Sequence, residues 1–296
     1  MEPLELPDMT PKQEASWKGI LAVSNIVRGG WCLVGGQMVQ LWCWERGSQP
    51  NRPTDDGDAV LDIRARPRIM KEFTKARVEI GFEPDGETWE GHQHRWTDGL
   101  GQIDILLPQG IGARADRKGV RGGTTLETPG AQNVLDRAEA VKVSIGGDVA
   151  TILRPTLQGA LLAKSFAYRV TNDSLRRRHL EDLATLSTLI RISDHVGDGL
   201  NRKENSTLFT AWSAALADPI TVGLSEGLST TFENEAVATL ENEATQTDWM
   251  GDYFGRLGVD QEACRGWGCA AAGREGFGCG EVDGREGGRV GEPAEV

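Results

Sequence analysis

The sequence predicts an α/β protein: a mixed sheet flanked by helices, then a helical C-terminal subdomain and a disordered tail. Three observations carry this expectation. Short apolar runs bounded by glycine or proline alternate with helically spaced apolar residues across residues 13–153. The spacing turns helical over residues 154–217 and decays in residues 218–296, which beyond residue 258 become rich in Gly, Glu and Arg. Residues 1–12 are expected to be a flexible N-terminus.

In chain order, Trp17, Ile20, Leu21 and Ile26 give an amphipathic helix over residues 11–27, closed by Gly29-Gly30. Trp31-Cys32-Leu33-Val34 is a buried strand, broken by Gly35-Gly36 before a helix over residues 37–45. A proline-containing loop at residues 47–54 leads into an alternating strand at residues 56–65, and Ile69, Phe73, Ala76 and Ile80 mark a helix crossing back over the sheet. His94-Arg95-Trp96 and residues 102–107 are two further strands, the second stopped by Pro108. Residues 114–123 form a glycine-rich basic loop. Residues 141–145 and 149–153, around Gly146-Gly147-Asp148, carry a hairpin signal. Leu157, Leu161, Leu162 and Phe166 mark one later helix; Leu180, Leu183, Leu186 and Leu189 mark another.

At 296 residues the chain can bury a sizeable core without staples. Its apolar runs are shorter than the ~20 residues that cross a bilayer, and Met1-Glu2-Pro3-Leu4 lacks a signal-peptide pattern, so no membrane is expected and the cytoplasm is the default location. A net charge of −12 opposes broad adhesion to nucleic acid and localises any RNA contact. Cys32 and Cys43 read as small buried side chains. Cys264, Cys269 and Cys279 lack the spacing and the histidine of a zinc site.

The chemistry concentrates in residues 54–58, Thr54-Asp55-Asp56-Gly57-Asp58. On a strand Asp56, Asp58 and Val60 share a face, so two carboxylates stand side by side and repel unless a divalent cation lies between them. Mg²⁺ takes hard oxygen ligands of this kind. Asp104, an acid inside the apolar run Ile103-Asp104-Ile105, can supply a third oxygen. Equally, Asp56 can belong to a turn and Asp104 can pair with an arginine. The Gly35-Gly36 turn between strand and helix lets backbone N–H groups approach a phosphate closely. His92, His94, His179 and His195 read as strand-packed or exposed histidines, and Trp42, Trp44, Trp89 and Trp96 as buried or interface aromatics, although an aromatic can also stack on a base.

Val34-Gly35-Gly36, the Asp56/Asp58 pair and Asp104 together resemble the minimal pattern of the polymerase-β-type nucleotidyltransferase superfamily: its hG[GS] turn, DxD strand and third acid. Lys164-Ser165-Phe166-Ala167, followed by Arg176-Arg177-Arg178-His179-Leu180-Glu181-Asp182, is similar to the last motif of the AbiEii-type toxin nucleotidyltransferases. Two positions depart from the pattern: Arg178 stands where a lysine is common, and Gly57 where an apolar residue is usual. The resemblance covers roughly residues 31–190 and makes residues 13–153 the nucleotidyltransferase core. It implies Mg²⁺ held by Asp56, Asp58 and Asp104, with Asp104 activating an acceptor hydroxyl. Gly35, Gly36, Thr54, Lys164, Arg178 and Asp182 would bind the nucleoside triphosphate. It further implies tRNA or protein as acceptor and a cognate antitoxin as partner. The competing expectations are a catalytically silent scaffold of the same fold that senses nucleotides or binds a partner, and a stand-alone RNA-binding module, which the acidic balance disfavours. For Lys164 and residues 176–178 a solvated helix face stands beside the functional role.

Overall fold

The computed structural model describes residues 2–221 apart from 113, 114 and 172. The expectations for the tail, for Cys264, Cys269 and Cys279, and for part of the basic loop lie outside the described residues. Cys32 and Cys43 are free and buried. No helix among the described residues is long and apolar enough to cross a membrane.

The N-terminal residues are tied down where flexibility was expected. Strand β1 (Leu4–Glu5) pairs in parallel with β8 (Ala138–Ile145), and helix α1 (Pro11–Ile26) begins within the same stretch. Thr10 and Gln13 close a reciprocal capping box there, and Pro11 at the first helical position loses no hydrogen bond. Strand β8 also pairs with β9 (Asp148–Pro155) as the anticipated hairpin, giving a three-stranded sheet in the order β1-β8-β9. Gly146 and Gly147 both have positive φ at its turn, a conformation that other residues adopt at a cost.

The main sheet holds β2 (Trp31–Val34), β3 (Asp56–Leu61), β4 (Glu83–Pro84), β5 (Arg95–Thr97) and β6 (Gln102–Pro108) in the order β2-β3-β6-β5-β4. A short strand, β7 (Leu126–Thr128), runs parallel to the end of β6. β3 stops at Leu61, short of the expected residue 65, because residues 63–65 turn back and the Ala65 N–H is taken by the Asp62 carboxylate at 3.0 Å. Strands β3 and β6 are parallel, and α3 (Ile69–Glu79) crosses between them. The other pairings, β2 with β3, β5 with β6 and β4 with β5, are antiparallel.

The alternation along β3 divides the core. Gly57, Ala59 and Leu61 are buried on the face toward α1, where a Cβ at Gly57 would meet Ile20 and Gln37. Val60 faces the other way, into a cluster with Cys32, Val34, Ala131 and Val134 that Leu106 and Ala163 complete. That second cluster lies between the sheet, the short helix α4 (Ala131–Leu135) and α5 (Leu157–Tyr168). Asp56 and Asp58 share the face of Val60, and Asp104 shares the face of Leu106, so the acids stand where this core ends. Helix α2 (Gly35–Glu45) starts directly from β2, two residues earlier than the sequence suggests. Helices α5, α6 (Arg177–Thr188) and α7 (Arg202–Ala217) pack on one another, with α6 also against α2. Asn201 and Glu204 form the capping box of α7, and the buried Glu204 takes Arg137 and Asn133.

At Gly57 the structure supplies the reason for a departure from the pattern it resembles. An added Cβ would lie 2.8 Å from Gln37 Oε1 and 3.0 Å from Ile20 Cγ1, so the space an apolar side chain would fill is already taken. Replacing Gly57 with valine is expected to overpack this contact and lower the unfolding free energy by ~1–3 kcal/mol, read from urea denaturation midpoints.

Candidate functional site

Backbone register brings the acids together. Val34 pairs with Asp58 across β2 and β3, and Asp58 pairs with Asp104 across β3 and β6. The residue after Val34 is Gly35, which therefore turns immediately beside the Asp58 carboxylate. A Cβ at Gly35 would overlap Asp58 Oδ2, and the φ of +70° disfavours any side chain independently. Gly36 is confined in the same way, with the Thr54 side chain 2.7–2.9 Å from where its Cβ would stand. Thr54 in turn donates to Asp56 Oδ1 at 2.7 Å. The two glycines thus let the first turn of α2 lie against the acid-bearing strand. Its N-cap residue, Val34, offers no side chain to the free N–H groups of that turn.

One carboxylate oxygen from each of Asp56, Asp58 and Asp104 lies within 4.8 Å of the others. The electrostatic strain is visible at Asp58, whose pKa is pushed from 3.8 up to about 7. Burial is the main cause, the charges of Asp56 and Asp104 add to it, and Lys164 and Arg178 oppose it. Burial also raises Asp104, against the pull of Arg95 and His94. Arg95 holds Asp104 loosely, with both N···O distances at 3.4 Å. Behind the strand, the buried Arg77 guanidinium sits among Phe73, Phe82 and Trp96 and donates to the Ile103 carbonyl at 2.7 Å. Three hard oxygens converging with too little positive charge among them suit a divalent cation such as Mg²⁺. The donor set therefore fits the metal that the sequence implies.

The second half of the site comes from α5 and α6. Lys164 is buried, and its ammonium lies 2.8 Å from Asp182 Oδ2. Arg52, from the loop before β3, grips the same carboxylate with Nε at 3.0 Å and Nη2 at 2.8 Å. Burial would raise the Asp182 pKa, yet Lys164 and Arg52 more than offset it and hold the group below the usual carboxylate range. Lys164 is thus no solvated helix lysine. Its charge and that of Arg178 both reach Asp58. Arg178 itself is half-exposed, 3.8 Å from Asp173, while Arg177 pairs with Asp218 at 2.7 Å and Arg176 lies over the Tyr168 ring. His179 bonds Asp173 at 3.1 Å, and burial together with Lys164 lowers its pKa to about 4, so the ring is neutral.

Every sequence-predicted site residue lies in this neighbourhood or borders it. Arg52 was missed, since nothing in a proline-rich loop signals a partner 130 residues away. Trp42 and Trp96 are buried, whereas Trp89 is 94% exposed.

No protein-family model matches the chain, and no curated protein sequence does. Among solved structures, it is similar to the crystal structure of an antigenic nucleotidyltransferase-like protein from Paracoccidioides brasiliensis. The two share 15% sequence identity with a TM-score of 0.41, over 66% of this chain and 84% of that one.

The raised Asp58 pKa has a definite sign for stability. Below pH 3.8 the group is protonated folded or unfolded; between 3.8 and about 7 only the folded state holds the proton, so stability falls as pH rises through this window. In metal-free buffer at pH 8, Asp58→Asn is expected to be more stable than wild type by on the order of 2–4 kcal/mol. The advantage should vanish below pH 4, and Mg²⁺ should reduce it by stabilising wild type alone; paired thermal melts measure all three.

Proposed function

We propose that this chain is a Mg²⁺-dependent nucleotidyltransferase that moves a nucleotide from a nucleoside triphosphate to a hydroxyl acceptor. The observation that carries the proposal is the register of Asp58 against Asp104 beside the glycine turn at Gly35. It brings three carboxylates and a helix N-terminus without a side-chain cap together at the neighbouring strands β2, β3 and β6. Carboxylates alone suggest a cation, and a helix N-terminus alone suggests an anion. Together they suit a metal-bound polyphosphate.

Asp56, Asp58 and Asp104 would hold the metal, which when bound supplies positive charge to neutralise the triphosphate and its leaving group. The N–H groups at the start of α2, reached across Gly35 and Gly36, would receive phosphate oxygens. Lys164 would face the triphosphate with its direction set by Asp182, and Arg52 would keep Asp182 ionised and in place. Arg178, at the rim, would add a charge able to follow the nucleotide. In the transfer, the acceptor oxygen forms a bond to the α-phosphorus and the bond from that phosphorus to pyrophosphate breaks. Pyrophosphate leaves with the bond electrons, and Asp104, with a pKa raised by burial, takes the hydroxyl proton. The toxin setting, with tRNA or protein as acceptor and an antitoxin as partner, rests on the motif likeness of Lys164 and residues 176–182 alone.

The test is incubation with each α-labelled nucleoside triphosphate, Mg²⁺ and a cell extract containing tRNA, protein and small metabolites. Wild type is expected to transfer label, and Asp56→Ala/Asp58→Ala to lose at least ~10²-fold of the rate. Triphosphate binding with no transfer by wild type would instead identify a silent nucleotide sensor.

A further inference from the structure

Arg52 has two sets of neighbours. Its guanidinium grips Asp182, and the residue also lines a cavity of about 270 Å³ that none of Asp56, Asp58, Asp104, Lys164 or Asp182 borders. The walls come from residues 7–9, α1, α2 and the loop at residues 49–53. The α2 lining is Gln40 and Trp44, a spacing of four that puts both on one face of the helix. Gly36, four residues before Gln40 in the same row, abuts Thr54 beside the acids, so the cavity opens about 6 Å along α2 from the metal end.

The walls are held by contacts of their own. Gln13, which lines the cavity from α1, is fixed by the capping box, its Oε1 accepting from the Thr10 N–H and from the Thr10 hydroxyl, both at 3.1 Å. Trp44 packs on the fully buried Trp17 with ring centroids 5.8 Å apart. Against this fixed frame two polar atoms stand out. Gln40 is only 4% exposed, yet its Oε1 has no hydrogen-bond partner, and the Asn51 Oδ1 is buried without one as well. Both are acceptors on residues that line the cavity, and a buried acceptor left unmatched is costly unless something donates to it.

The chemistry of the lining narrows the occupant. Its one cation, Arg52, is already engaged by Asp182, and Asp8 adds a negative charge, so a phosphate finds no counter-charge here. What remains is two unmatched amide oxygens, an aromatic residue and a volume at the lower end of the range for ligand pockets. A flat, neutral ring that carries N–H donors meets all three conditions. Nucleobases with an exocyclic amino group are rings of this kind, and one Asn or Gln amide can pair with both the amino group and the neighbouring ring nitrogen of adenine. We propose that this cavity is a nucleoside site, separate from the carboxylate cluster, and that it takes an amino-bearing base such as adenine or cytosine. A ring seated there lies against the residue that holds Asp182 and, through it, Lys164. Binding in the cavity does not depend on the transferase reading.

The test titrates two nucleoside pairs, adenosine with inosine and cytidine with uridine, into the full chain by calorimetry without metal or triphosphate. In each pair an exocyclic amino group is replaced by a carbonyl. At least one amino-bearing nucleoside is expected to bind, and to do so about tenfold or more tightly than its keto counterpart. Gln40→Met removes the orphaned amide at similar volume, so the variant is expected to melt no lower than wild type and to bind about tenfold more weakly. Asn51→Ala, in the loop, is expected to weaken binding as well, and it carries the test if Gln40→Met fails to fold. Asp56→Ala/Asp58→Ala is expected to bind the nucleoside as wild type does. The proposal is overturned if neither adenosine nor cytidine binds, if the keto counterparts bind equally, or if both cavity variants bind as wild type. Loss of binding in Asp56→Ala/Asp58→Ala would also overturn it, by moving the ring to the metal site as the base of the donor triphosphate.

Discussion

Repulsion among Asp56, Asp58 and Asp104 is the constraint around which this structure is arranged. Their oxygens converge to within 4.8 Å at the border of an apolar core, and burial, with the charges of Asp56 and Asp104 added to it, displaces the Asp58 pKa up to about 7. Three features of the backbone impose that proximity. Parallel pairing sets Asp58 opposite Asp104, antiparallel pairing sets Val34 opposite Asp58, and two glycines let α2 begin within contact of the carboxylate. The surrounding cations only moderate the repulsion. Lys164 and Arg178 act on Asp58 without touching it, and Arg95 holds Asp104 at 3.4 Å. A divalent cation would satisfy all three acids at once.

Asp182 shows how the second half of the site is kept in order. A carboxylate buried between α5 and the loop before β3 is tolerated because two cations share it, and removing either would leave charge insufficiently compensated. The same pair fixes the Lys164 ammonium, which otherwise has four rotatable bonds to wander over, and ties the helices to the sheet edge. One ionic cluster therefore serves packing and function together. His179, neutral and bound to Asp173, leaves the positive charge of this region to Lys164, Arg52 and Arg178.

Much of the site was legible because period-two alternation is a strong local signal. It alone places Asp56, Asp58 and Val60 on one face, and an acid between Ile103 and Ile105 stands out in any buried strand. Gly35-Gly36 was legible as a turn, though its two close contacts, with Asp58 and Thr54, exist only in three dimensions. Arg52 was invisible because its partner is far along the chain. The N-terminal strand was missed because two residues carry no periodicity; β8 supplies its order. Helix α7 lies within the residues 154–217 expected to be helical, and the capping box of Asn201 and Glu204 sets where it begins. Trp89 shows the limit of composition: the same residue type is buried at positions 42 and 96 and fully presented at 89, and only the turn that carries it makes the difference.

The central claim is that the three carboxylates form one cation site, and calorimetric titration of the metal-free chain with Mg²⁺ and with Mn²⁺ tests it most directly. The account predicts a single site in wild type, weakened at least tenfold by Asp58→Asn or Asp104→Asn and unaffected by Glu87→Gln. Absence of binding to wild type, or equal binding by a variant with all three acids changed to asparagine, would contradict it.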